Sequence, residues 1–395
     1  MSSDNESQLR PLILDIGNNL FRIGWAGEDY PTIISPSVYV NKTDFIFVSD
    51  IIDGLEEIFI EDTNVDNLIF GEHALSYSNI LKIHQFRKEN NYNILVKFFF
   101  HYYQQLGINE ENQFKQPIII ITPYFISELE KTKLREVFFN IFKFPSILFL
   151  IDSQGIMAAL QKTSAVIVNM GEVNTYITSF LHGFTNIMAR DTFPIAGKDL
   201  TKYFLNILLL QRGSGKIEYL DHLMVKDFKD KLSICILDPE GEIKRIKDGF
   251  TKYDSIIELP DGSKLKINSE RFQIVEPLFD PSIIHIDYNG LPEAIAKIIR
   301  TWERENWGEL LSNIILAGGG SLIPGLEKKM TKEISGFFSD KLKNEIKVLA
   351  ASGRENISWV GASVLWAQGK LSKGWEKNPL YSQEPNAKND FHTNT

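Results

Sequence analysis

Two polar turns in this chain carry residue types suited to gripping a phosphate. The apolar run Leu12-Ile13-Leu14 ends in Asp15-Ile16-Gly17-Asn18-Asn19, and Ala165-Val166-Ile167-Val168 ends in Asn169-Met170-Gly171-Glu172-Val173. Glycine lets a backbone come close to an anion and leaves N–H groups to bind it, and Asp15 is suited to holding a hydrated cation against the same oxygens. Two such turns facing one another would make a phosphate clamp. A third glycine turn, Gly318-Gly319-Gly320-Ser321, follows Ile314-Ile315-Leu316-Ala317, the position at the end of a buried strand where α/β proteins commonly bind ligands. Arg22 can reach a phosphate if it crosses the first hairpin. Gln154, at the start of a helix, can orient water through its amide but is too weak a base to take a proton.

The elements that must position these residues read as alternating strands and helices. Residues 12–14, 21–26 and 33–40 form short strands punctuated by glycine and proline. The spacing predicts a helix over Tyr92 to Leu106, a strand over Pro117-Ile118-Ile119-Ile120-Ile121-Thr122, and an amphipathic helix over Ser127 to Ile141. A strand at 147–151 and a helix at Ser153 to Gln161 complete a βαβα order, which implies a partly parallel sheet covered by helices. The plan then repeats faintly: strands at 165–169, 174–181 and 184–190, and a helix from Gly197 to Leu210. Helical spacing returns at Met224 to Leu232 and at Leu291 to Trp307. Between them, a charged stretch and the turn Leu259-Pro260-Asp261-Gly262-Ser263 suggest an inserted subdomain.

Bulk composition bounds the function. The 395 residues exceed one typical domain, and 43% hydrophobic content suffices for two cores. A formal charge of -9 argues against a general nucleic-acid or anionic-membrane surface, so no direct sequence-specific nucleic-acid contact is expected. Cys235 is the single cysteine, which rules out an intrachain disulfide and a cysteine zinc cluster and suits a reducing intracellular setting. The polar N-terminus fits neither a signal nor a transit peptide. Apolar stretches fall short of the roughly 20 residues that cross a bilayer, so no transmembrane segment is expected. Gln211-Arg212-Gly213-Ser214-Gly215-Lys216 lacks P-loop spacing, no serine occupies a nucleophile elbow, and the histidines have no metal-ligand spacing. Trp302, Trp307, Trp366 and Trp375 suit either a protein interface or core packing.

Assembled in order, the motifs resemble the actin family from residue 12 to about residue 370. Carrying the resemblance are Asp15-Ile16-Gly17-Asn18-Asn19 through Arg22-Ile23-Gly24-Trp25-Ala26-Gly27, Pro36-Ser37, Ile195-Ala196-Gly197-Lys198-Asp199-Leu200-Thr201, Glu270-Arg271-Phe272, Leu316 to Gly325, and Ser358-Trp359-Val360-Gly361-Ala362-Ser363. The resemblance implies an α/β, two-lobed ATPase fold with four subdomains and a central nucleotide cleft holding ATP or ADP with magnesium or calcium. It places the first lobe at 12–164 with a peripheral subdomain at about 38–72. The second lobe is expected at 165–350 with an inserted subdomain at about 212–290, and the return to the first lobe at 351–375. Residues 1–11 and 376–395 are expected to be flexible. By resemblance Asp15 is the cation carboxylate, acting through water, and Arg22 stands where the family has a phosphate-binding lysine. Gly17, Asn18, Asn19, Gly171 and Glu172 line the phosphates, and Gln154 positions water. Lys229 and Asp230 contact the adenosine, with Gly318, Gly319, Gly320 and Ser321 nearby.

The second turn departs from the family. Actins carry aspartate at the positions of Asn169 and Glu172, glycine at Val173 and histidine at Tyr176, so hydrolysis is expected to be slow or absent. The segment between Pro36 and Gly71 and the chain's end are also unlike those of actin. These changes favour a divergent actin-related protein, a structural or regulatory subunit of a cytoskeletal or chromatin-associated assembly in cytoplasm or nucleus. Its expected partners are proteins, among them actin or other actin-related proteins. The alternative is a self-polymerising actin-like ATPase; a small-molecule kinase of the wider superfamily is a distant third.

Overall fold

The computed structural model describes residues 9–44, 67–78, 80–89, 91–108, 114–212, 222–259, 262 and 264–381. The chain divides into two compact units, one of Met1–Ala159 with Ser358–Thr395 and one of Leu160–Ile357.

The first unit is built on strands β1 (Leu12–Ile16), β2 (Leu20–Trp25), β3 (Ile33–Pro36), β7 (Ile118–Thr122) and β8 (Ser146–Ile151), in the order β8-β7-β1-β2-β3. Strand β1 pairs antiparallel with β2 and parallel with β7. All five residues of β7 are buried, as the continuous Ile-Ile-Ile-Ile-Thr run requires of a parallel strand covered on both faces. Alternation along β1 divides the packing. Leu12, Leu14 and Ile16 join an aromatic core built with Phe98, Phe99 and Phe138, while Ile13 packs with Trp359 of the helix Ile357–Ala367. Asp15 shares parity with Ile13 and so belongs to the face that this helix covers.

Asn91 caps the helix Tyr92–Gln105 by accepting from the Ile94 N–H, and Ser127 caps Glu128–Arg135 by accepting from Glu130. The expected helix to Ile141 changes character at Glu136 and continues as a π-helical segment. The expected strand 33–40 breaks at Ser37. Its second half, β4 (Val38–Asn41), lies between β5 (Leu68–Phe70) and β6 (His84–Gln85) in a separate three-stranded sheet. The acidic stretch at 45–66 falls outside the described residues.

Residues 376–381 depart from the expected loose tail. Glu376–Lys377 adds an antiparallel strand to the edge of β8, and Arg135 clamps Glu376 through two hydrogen bonds of 2.6 and 2.9 Å.

The second unit repeats the same sheet. Its strands β9 (Ala165–Met170), β10 (Thr175–Phe180), β11 (Arg190–Phe193), β14 (Ile314–Ala317) and β15 (Val348–Leu349) run in the order β15-β14-β9-β10-β11. Position by position, the parallel and antiparallel pairings match those of β8-β7-β1-β2-β3. The α/β class thus holds, and the faint repeat of the sequence is a duplicated topology. One strand moved: in place of a strand at 184–190 the chain makes a 3-10 turn at Ile187–Ala189, capped by Asn186, before β11 begins. The helix at 291 ends at Arg300 and a separate helix starts at Trp307. A hairpin of β12 (Ser255–Glu258) and β13 (Lys264–Ile267) follows the helices His222–Leu232 and Pro239–Lys247.

Candidate functional site

The duplicated sheets present duplicated turns. In the first unit Gly17 donates its N–H to the Leu20 carbonyl at 3.1 Å; in the second, Gly171 donates to Asn174 at 2.9 Å. Each glycine therefore closes a turn of the same length at the same place in its sheet. Among the described residues, the N–H groups of the two central residues meet no acceptor in either turn: Asn18 and Asn19 in the first, Glu172 and Val173 in the second. Successive unengaged amides at a turn form an anion-binding concavity. Ser37, fully buried, holds the first turn from behind by donating its hydroxyl to the Gly17 carbonyl at 2.8 Å and its N–H to Asn19 at 2.9 Å.

Asp15 and Arg22 face each other across β1 and β2, and the guanidinium donates to the carboxylate at 3.0 Å. Arg22 is only 7% exposed. Burial pushes the Asp15 carboxyl above its ordinary range, and the Arg22 charge offsets part of that effect. At the equivalent place in the second unit stand Asn169 and Tyr176, paired across β9 and β10. An ion pair in one turn is thus a pair of neutral groups in the other.

The acid of the second turn is directed within its own unit. Glu172 lies against Gly197, whose N–H donates to Gly171 at 3.1 Å, while the Lys198 N–H donates to the Glu172 carbonyl at 2.8 Å. Burial raises the Glu172 carboxyl, opposed by the charges of Lys229 and Lys226. Lys229, buried, donates to the Gly197 carbonyl at 3.1 Å and sits 3.3 Å from Asp230, which also pairs with Lys226 at 2.6 Å. Asp230, on the exposed side of its helix, is therefore neutralised from two directions.

The third glycine turn packs on the second. Gly318 has φ +80°, and a Cβ there would overlap the Met170 carbonyl and meet the Asn169 side chain, so only glycine fits. Sequence reasoning missed the residue that secures this turn. Arg354 donates to the Ser321 hydroxyl at 3.0 Å, the Ser321 carbonyl at 2.8 Å and the Ala351 carbonyl at 3.1 Å, and its own carbonyl accepts from Gly318. Ser321 is consumed structurally, since its hydroxyl also donates to Gly318 at 2.7 Å. Gln154, in the first unit, is exposed in the opening turn of the helix Asp152–Ala159, just past the end of β8.

A sheet repeated strand for strand, with a glycine turn at the same place in each copy, is matched by the comparison with known families. The Actin family model matches residues 6–220 and 211–382. The chain belongs to the actin family. It is 25% identical over 383 residues to a Neurospora crassa "Actin-like protein", covering 95% of this chain and 96% of that one. It is 27% identical over 389 residues to Drosophila melanogaster "Actin-related protein 2", covering 94% and 95%. At this distance from both it is a divergent actin-related protein, and ATP binding is general in the actin family. No helix among the described residues is long and apolar enough to cross a membrane.

The divalent cation that accompanies nucleotide in actins would be held here through Asp15 and water. Of the two acids at the phosphate turns, Asp15 is bonded to a buried arginine and Glu172 is buried within the influence of the Lys229 and Lys226 charges. Asn169 carries no charge, and among the described residues no three His, Cys, Asp or Glu side chains converge as a metal site. The half-buried tryptophans spend their N–H groups internally: Trp302 on Ser179, Trp307 on Trp302 and Trp375 on Leu371. Core packing accounts for them.

Proposed function

We propose that this actin-related protein binds ATP or ADP and serves as a structural or regulatory subunit of a protein assembly, cytoskeletal or chromatin-associated, inside the cell in cytoplasm or nucleus. The observation that carries the reading is the pair of matched turns, each with two consecutive amides that meet no acceptor among the described residues. The amides of Asn18, Asn19, Glu172 and Val173 take the phosphate oxygens, and Arg22 supplies positive charge. Lys229 and Asp230 would contact the adenosine, and the glycine turn 318–320 would line the nucleotide base and phosphates. A ligand that binds only the folded chain stabilises it by mass action, which gives nucleotide a role without turnover.

Slow or absent hydrolysis follows from the neutral Asn169 and Tyr176, which offer attacking water no carboxylate. Gln154 is left to orient that water alone. The partners would be proteins, actin or other actin-related proteins among them. Purified protein heated with and without ATP or ADP tests the binding, and pelleting with phosphate release tests the rest. A melting shift without filaments or turnover supports the subunit reading. Growth above a critical concentration would make the chain a self-polymerising ATPase.

A further inference from the structure

We propose that Glu355 reads the 6-position of the purine, so that this chain accepts 6-amino purine nucleotides and rejects 6-oxo ones. The inference rests on the nucleotide reading above and deepens it. Every residue it uses belongs to the second unit. Its basis is a carboxylate with nothing to hold. Oε2 of Glu355 is buried and, among the described residues, meets no hydrogen-bond donor, and the side chain enters no ion pair. Arg354, its neighbour in the chain, spends its guanidinium on Ser321 and Ala351. Glu242 also buries an unpaired Oε2, but its Oε1 accepts from Arg245 at 2.7 Å.

The chain brings that carboxylate to the third glycine turn. Gly318 donates its N–H at 3.1 Å to the carbonyl of the peptide unit that joins Arg354 to Glu355, which puts the Glu355 Cα within about 6 Å of the turn. The turn offers a purine bare backbone and one large apolar side chain: a Cβ at Gly319 would meet nothing within 4 Å, and Leu322 is 45% exposed. Sites for such ligands join apolar surface to a few polar groups that fix orientation. A carboxylate offers only acceptors, and burying one without a donor is costly. The exocyclic amine of adenine supplies that donor. A 6-oxo purine turns an acceptor to the same place, so two oxygens would face each other with no proton between them. Sites built around one hydrogen-bonding pattern reject the analogue that lacks it, because the buried group is left unpaired.

The test measures the affinities of ATP and of inosine triphosphate, its 6-oxo analogue, by titration calorimetry on the full chain in millimolar magnesium. The wild type is expected to bind ATP about tenfold or more tightly than inosine triphosphate, the scale of a hydrogen bond to a charged group. Affinities within about threefold of each other, or a preference for inosine triphosphate, would overturn the proposal. Glu355→Ala should abolish the preference by weakening ATP. Glu355→Gln should abolish it by a different route, because its amide can turn either oxygen or nitrogen to the 6-position and so strengthens inosine triphosphate. Variants that weaken both nucleotides equally and keep the preference would give Glu355 a structural role only and overturn the assignment. If Glu355→Ala fails to fold, Glu355→Gln, which keeps the side chain's shape, carries the test. Binding of neither nucleotide by the wild type would sink the nucleotide reading itself, a result distinct from binding both alike.

Discussion

Gly361 meets Gly155 backbone to backbone: a Cβ at Gly361 would overlap the Gly155 carbonyl, and one at Gly155 would press on Ser358. The helix that begins with Asp152 and carries Gln154 is therefore seated directly on Ile357–Ala367, whose Trp359 donates its indole N–H to the Ile13 carbonyl at 3.2 Å. Strand β1, the water-orienting candidate and the C-terminal helix of the first unit form one packed assembly.

Gly361→Ala should accordingly destabilise the protein by about 2–4 kcal/mol, since neither backbone can yield without parting the helices. Gly308→Ala is the control. Its Cβ meets nothing within 4 Å and its backbone is helical, so it should be neutral or stabilising by up to about 1 kcal/mol. Urea unfolding of the two variants checks the contrast, and equal effects would remove the close approach as the cause.

Asp15→Asn should cost more stability than the double variant Asp15→Asn with Arg22→Met. The single change leaves a buried guanidinium without its anion, and the double change removes the charge as well. A double-mutant cycle from urea unfolding should return a coupling of about 1–3 kcal/mol. Additive effects would mean that the pair carries no net interaction.

Gln154→Ala should leave the melting temperature and ATP affinity almost unchanged, because the side chain is exposed. Any phosphate release the wild type displays should fall by about tenfold or more, the scale on which water-positioning groups act. A loss of binding as large as the loss of turnover would place Gln154 in nucleotide contact instead.

The pH dependence of stability should carry the mark of Glu172. Its folded carboxyl is raised above the ordinary value of 4.5 by burial, so between those two values the folded state holds more protons than the unfolded state. Stability from this group is full below pH 4.5 and is lost as pH rises through the folded value. Glu172→Gln mimics the protonated form and escapes the loss. The stability of the wild type relative to this variant should therefore decline with rising pH across that window in urea unfolding. A relative gain would mean that attraction to Lys229 and Lys226 outweighs burial.

What the sequence made legible follows contact distance. The run Ile118-Ile119-Ile120-Ile121 could only be a covered strand, and the Asp15 and Gly171 turns announced themselves by polarity after apolar runs. Even the departure at the second turn was readable, because Asn169 and Tyr176 differ in kind from the groups actins place there. Arg354 was not legible: it secures a glycine turn 33 residues away, and nothing in its neighbours marks it. The end of the helix at Arg300 was hidden for the same reason, since Trp302 turns away to reach Ser179 across 123 residues. The burial of Glu172, opposed by the charge of Lys229, was likewise hidden, because tertiary packing produces both.

Asn378 offers the last test, because it decides whether the end of the described chain is part of the first unit. Its side chain is fully buried. The amide donates to the Phe139 carbonyl at 3.1 Å and the Phe144 carbonyl at 3.0 Å, and its oxygen accepts from the Leu380 N–H at 3.0 Å. These carbonyls belong to the π-helical segment and to the loop leading into β8. Asn378→Ala would leave two buried acceptors and one donor unsatisfied, a cost of about 2–4 kcal/mol if the segment stayed in place. Detachment of Glu376–Lys377 from the edge of β8 avoids that cost. Amide exchange should then speed up at residues 376–381 and along the exposed edge of β8, while β1 and β7 keep their protection. Uniform loss of protection across the sheet would mean instead that Asn378 holds the whole unit together.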